Sequence, residues 1–178
     1  MKNLVFFLAL LCSKSLIAQF SFNENGTGIQ SATNTASGDR STAMGNFTIA
    51  SGFASTAMGR ETKAIGNYST AMGYYTTASI SHSTAMGYYT TASGYVSTAM
   101  GAQTTASGSR STAMGANTEA SGDYSTAMGY QTEASDRSSL VIGQYNLLGS
   151  TVTNSATEFS TENTAFVIGN GGAQKKNS

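Results

Sequence analysis

Ser83-Thr84-Ala85-Met86-Gly87, two residues, then Thr90-Thr91-Ala92-Ser93-Gly94: this stretch holds the plan of the whole chain. Its first five letters occur seven times at a fixed spacing of fourteen residues, starting at Ser41, Ser55, Ser69, Ser83, Ser97, Ser111 and Ser125. A degraded eighth copy, Ser139-Leu140-Val141-Ile142-Gly143, falls in the same register. The second phrase, offset by seven, returns as Ala50-Ser51-Gly52, Ala106-Ser107-Gly108 and Ala120-Ser121-Gly122. The unit is therefore Ser or Thr, x, Ala, x, Gly, x, x, repeated every seven residues and paired into fourteens. A fixed short period marks an array whose units cannot bury an apolar face alone and must stack on one another.

A period of seven does not make this a coiled coil, whose seams need bulky apolar residues and helix formers between them. Here each half carries Gly, Ser and β-branched Thr, and the pattern inside it has period two. Ser41, Ala43 and Gly45 are expected to point inward and Thr42 and Met44 outward. The two residues after each Gly read as turns. Two strands of about five residues and two tight turns would make one thin coil. Small interior residues would let two parallel sheets approach closely, and eight coils about 4.8 Å apart would span roughly 38 Å. The Gly slot has two exceptions, Ile80 and Asp136.

The two outer faces differ. On the first strand the outward slots form a Thr column (Thr42, Thr56, Thr70, Thr84, Thr98, Thr112, Thr126) and a Met column (Met44, Met58, Met72, Met86, Met100, Met114, Met128). Every Met but the initiator lies in that column. On the second strand the outward slots are water-compatible: Lys63, Thr77, Thr91, Thr105, Glu119 and Glu133. A long uncovered Met stripe would be adhesive to other surfaces, so other copies of the same chain are expected to cover it.

Outside the array, residues 1–18 read as a signal peptide: Lys2, an apolar run from Leu4 to Leu11, and Ala18 before the cut. That run is too short to span a bilayer, and bulky Leu11 before Cys12 argues against a lipoprotein cut. The chain is thus expected to be exported. Residues 19–33 form a polar lead-in, 34–143 the repeats, and 144–178 are expected to be a degenerate repeat and the start of a stalk or following module, in which Ala165-Phe166-Val167-Ile168-Gly169 restarts the pattern with its register slipped by two. Charged residues make up 10% of the chain and the net charge is zero, so nothing recruits nucleic acid by charge. Pro is absent, as expected where every stretch must donate to a stacked ladder.

Catalytic and metal chemistry find no foothold, and neither an enzyme nor a cofactor is expected. His82 is the sole histidine and sits in a turn slot without an acid or Cys partner in phase; Asp39, Asp123 and Asp136 are isolated. All nine tyrosines occupy the two slots after the Gly slot. Tyr74 and Tyr75 lie one coil from Tyr88 and Tyr89, so their rings should stack as an edge ladder. Two readings stand open: shielding of coil edges or a neighbouring subunit, and an aromatic contact surface for a ligand. Arg40, Arg60, Arg110 and Arg137, also in turn slots, read as solvated decoration.

The unit Ser-Thr-Ala-Met-Gly-x-x-Thr-x-Ala-Ser-Gly resembles the head repeat of YadA-like trimeric autotransporter adhesins and haemagglutinin-like surface proteins, over about residues 34–143. Ser139 to Gly143 is closest to the family form, Ser-Val-Ala-Ile-Gly; Thr and Met elsewhere depart from it. The resemblance implies a left-handed parallel β-roll, three of which associate into a cell-surface adhesive head with a host-cell or matrix partner. The number three comes from the resemblance alone, and the Thr and Met columns are its trimer-interface candidates. The family's stalk and membrane barrel are not in this chain, so anchorage is expected only through a segment beyond it. Two other functions remain in play, a fibre spacer without its own ligand and an ice-binding solenoid. The second is weakened because the Thr column is shared with bulky Met.

Overall fold

The computed structural model describes residues 21–22, 29–30, 33–146, 155–158 and 163–171. The expected signal peptide, much of the lead-in and the polar tail lie outside the described residues. What is described is an all-β parallel solenoid with no helix among those residues. Long strands such as Thr70–Tyr74, Thr84–Tyr88 and Thr98–Ala102 stack into an eleven-stranded sheet. Short strands such as Thr77–Ala78 and Thr91–Ala92 stack into an eight-stranded one. The fourteen-residue period is the register itself: Thr84, Ala85 and Met86 lie opposite Thr70, Ala71 and Met72 on one side and Thr98, Ala99 and Met100 on the other.

The second strand is two residues long, not five. Gly94 and Ser93 both donate their N–H to the Ala106 carbonyl, at 3.2 and 2.9 Å. Two successive donors converging on one acceptor bend the chain into a turn and end the ladder. A second correction concerns the glycine after Met. Gly45 and its equivalents are exposed corners with φ between 102° and 128°, and do not face the interior. At Gly87 an added Cβ would lie 2.0 Å from the Gly101 oxygen, so only glycine lets successive corners approach so closely.

Between the sheets the core is made of small groups. Fifteen alanines from Ala36 to Ala134, and Val141, are fully buried. The Ser column (Ser41 to Ser139) and a Thr column at Thr48, Thr62, Thr76, Thr90, Thr104, Thr118 and Thr132 are buried beside them. Burying one methyl stabilises by about 0.8 kcal/mol against about 1.5–3 for a Leu-sized side chain. Such a core is held largely by backbone ladders. Each corner adds one: Tyr89 N–H donates to the Tyr74 carbonyl at 2.9 Å, and Tyr68 N–H to Phe53 at 2.7 Å. Proline could not supply these donors.

The ends of the array are closed by side chains. Asn146, fourteen residues after Thr132, accepts from Glu133 N–H at 2.7 Å and donates to the Glu133 carbonyl at 2.9 Å, as the next strand would. Asn34, fourteen before Thr48, accepts from Thr48 N–H at 2.9 Å and donates to the Gly45 carbonyl at 3.0 Å. Asp136 is fully buried in the Gly slot that follows the last short strand, Glu133–Ala134, where its carboxylate accepts from Thr164 N–H at 2.9 Å. The long sheet runs beyond Gly143. Phe166–Asn170 pairs in parallel with Leu140–Gln144, Val167 opposite Val141, so the two-residue slip is absorbed before the strand and does not disturb its register. At the other end Ile29–Gln30 pairs with Thr42–Ala43 and antiparallel with Ser21–Phe22.

Candidate functional site: the methionine face and the two aromatic edges

Three surfaces stand out on this rod. The first is the outer face of the long sheet. Thr42, Thr56, Thr70, Thr84, Thr98, Thr112 and Thr126 are half-buried there, as are Met44, Met58, Met72, Met86, Met100, Met114 and Met128. Each Met lies directly opposite those of the coils before and after it, and Ile142 and then Ile168 prolong the column. Each of these Met side chains is therefore only partly covered within the single chain. The face is uncharged from end to end.

The second surface is the edge formed by the corners after Met-Gly. The second residue of every corner there is left-handed without being glycine: Phe47, Glu61, Tyr75, Tyr89, Gln103, Asn117, Gln131 and Tyr145 have φ of 47–54°. The corner ladder imposes this, since from Glu61 to Tyr145 each of these N–H groups turns along the axis to reach the preceding coil. The expected stacking is present. Tyr74 and Tyr88 are 5.5 Å apart with planes 6° apart, and Tyr75 and Tyr89 are 4.8 Å and 8° apart. The two columns meet edge to face, Tyr74 against Tyr75 at 4.5 Å and Tyr88 against Tyr89 at 4.6 Å. A hydrogen bond to Glu61 pushes the Tyr75 hydroxyl up to about 12, and desolvation by its neighbours raises that of Tyr89. Tyr145 is raised by its hydrogen bond with Tyr130.

The third surface is the opposite edge, whose order the sequence did not disclose. Arg40 lies over Phe53 at 5.6 Å, Phe53 meets Tyr68 at 5.3 Å, Tyr68 stacks on His82 at 5.1 Å, and His82 meets Tyr95 at 5.7 Å. Arg110 lies over Tyr95 and Tyr124, and Arg137 over Tyr124 at 4.9 Å. The arginines are therefore not merely solvated decoration. They fill the gaps in an unbroken π ladder, and on the other edge Arg60 does the same over Tyr74 at 5.4 Å. Phase alone could have shown it, since every member occupies one of the two slots of the same corner. His82 is one rung of this ladder. Among the described residues no cluster of three or more His, Cys, Asp or Glu is brought together.

A stacked parallel β-solenoid with one apolar sheet face and aromatic corners is the class these features define. The chain belongs to the YadA head domain repeat family, which matches residues 32–49, 50–76, 64–90, 92–118 and 120–146. Head repeats of this family are in general adhesin-like, non-enzymatic and displayed outside the cell. Comparison with curated proteins returns no match.

Proposed function

We propose that this chain is the head of a homotrimeric surface or secreted adhesin, exported by residues 1–18, which attaches cells to a host or matrix component. Three copies close around the Thr and Met columns and turn the Tyr74, Tyr75, Tyr88 and Tyr89 edge outward as the contact surface. The observation that carries the reading is the Met face. Seven thioethers stand in register on an uncharged sheet face, while the interior contains only small side chains. Each Met contributes roughly 1.5–3 kcal/mol when fully buried. A closed rotational assembly covers the stripe on every copy and leaves no open end to propagate.

Light scattering on the full chain tests the assembly. The mass of three chains is expected, and Met86→Asp with Met100→Asp, which puts six carboxylates at one desolvated axis, should abolish it. A folded monomer whose methionines oxidise readily in dilute peroxide would refute the assembly. Beads coated with the chain test adhesion, and should be retained on cells or on collagen or fibronectin. The rival reading, a fibre spacer, draws support from the edge of Phe53, Tyr68 and His82, whose rings are spent on one another. Beads that adhere to nothing would favour it.

A further inference from the structure

One edge is filled from end to end by rings and by arginines laid over them; the other is interrupted. After Tyr88 the first corner slot holds Ala102 and then Ala116, directly opposite one another in the ladder, before Tyr130 restores a ring. The second slot of the same two corners holds Gln103 and Asn117, both exposed. The result is a notch two coils long, with aromatic walls, an alanine floor and an amide rim. Tyr88 and Tyr130 stand three coils apart, about 14 Å at the 4.8 Å spacing of strands. Tyr88 is stacked on Tyr74 on one side only, and its other side has no ring at the Ala102 level. It is 50% exposed.

The geometry points to a binding site for a neutral polysaccharide in this notch. The inference rests on the adhesive reading and names the ligand class that one part of the tyrosine edge would take. A pyranose ring has an apolar C–H face and a rim of hydroxyls. An uncovered aromatic face takes the first, and a planar amide, with its donor and acceptor side by side, takes the second. The notch carries no charge in either corner slot at these levels, so an anionic chain finds no counter-ion in it. If the rings only shielded the coil edges, these two coils would need them as much as their neighbours do.

Filling the notch is the test. Tyrosine already occupies this slot at positions 74, 88 and 130, so Ala102→Tyr with Ala116→Tyr should keep the fold and its melting temperature while completing the ring column. Affinity electrophoresis of the full chain is run through gels containing laminarin, xyloglucan or galactomannan, with alginate and dextran sulfate as anionic probes. Because the chain has no Trp, tyrosine emission reports binding in solution. Retardation by at least one neutral polymer is expected, weakened about tenfold or more in the filled variant and in Tyr88→Ala. The inference is overturned if no neutral polymer retards the chain, if only the anionic ones do, or if the filled variant binds as the unmodified chain does. Coated beads separate this failure from that of the adhesive reading. Beads of both proteins retained equally on cells leave an adhesin whose contact lies elsewhere, whereas beads retained nowhere remove the adhesin itself.

Discussion

The coil spacing depends on glycine at the corner after Met, and Gly87→Ala probes that dependence. The new Cβ would sit 2.0 Å from the Gly101 oxygen, 3.0 Å from its carbonyl carbon and 3.1 Å from its nitrogen. An ordinary contact needs about 3.4 Å or more, so the two coils must part by over an ångström at this corner. The corner bond that joins them, Gln103 N–H to the Tyr88 carbonyl, is 2.8 Å long and cannot survive that separation. Gly87 also has φ of 122°, a region in which a side chain costs on the order of 1–3 kcal/mol. Adding about 1 kcal/mol for the lost bond gives a destabilisation of roughly 3 kcal/mol. That corresponds to a fall in melting temperature of about 6–12 °C for a chain of this length. The measurement is thermal unfolding followed by the β-sheet circular dichroism signal, with Ser107→Ala on the exposed face as the control. Melting of Gly87→Ala within about 1 °C of the control would refute the claim that coil contact, and not composition, keeps glycine at this slot.

Three further outcomes are expected. Thr90 is fully buried with no hydrogen-bond partner for its hydroxyl, so Thr90→Val should raise stability by about 1 kcal/mol in urea unfolding, and a loss would mean that the hydroxyl is bonded. Asn146→Ala removes the two bonds that stand in for the next short strand and should cost about 1–3 kcal/mol in the same assay; no change would show that the end of the array needs no cap. Glu133 has its carboxyl raised above the usual 4.5, first by burial and then by Glu119 directly opposite. A raised folded-state value means that its contribution to stability is full below about 4.5 and is lost as pH rises through the folded value. Glu133→Gln should therefore melt higher than the unmodified chain at pH 7 and equally with it near pH 4; a gap that persists at pH 4 would place the effect elsewhere.

How much of this could be read in advance follows from where each constraint lies. The inward Ala column and the outward Thr and Met columns are set by strict alternation within a short period. Ala85, buried, and Met86, half outward, are therefore where the alternation puts them. Alternation alone makes the short strand too long, because Ser93 and Gly94 look like strand continuation. Only their shared bond to Ala106 shows that the ladder ends. The left-handed corners were hidden because residues such as Val96 (φ 56°) and Tyr89 (φ 52°) carry no preference for that region. Cooperative corner bonding overrides their local preference. The Asn caps were in plain view as fourteen-residue phases of the buried Thr column. Their capping role is not signalled by composition, because Asn34 and Asn146 sit just where the repeat consensus fades.

The division of labour within a coil explains why function should be sought at the corners. An interior Ser, Ala or Thr is fixed by the space between the sheets, and the corner Gly by the approach of the next coil. The Met face is kept nearly uniform, as a surface that meets copies of itself would be. The two residues of each corner face a different demand. The second must supply an N–H in a left-handed conformation, which Glu61, Tyr75, Gln103 and Asn117 all do with φ near 50°. Geometry specifies the backbone there and leaves the side chain free. Tyr88, Ala102 and Ala116 can thus differ in size by a whole ring at one slot while their strands remain in identical register. A head of this kind can change what it contacts by exchanging corner side chains, without disturbing a ladder, a core residue or the Thr and Met columns.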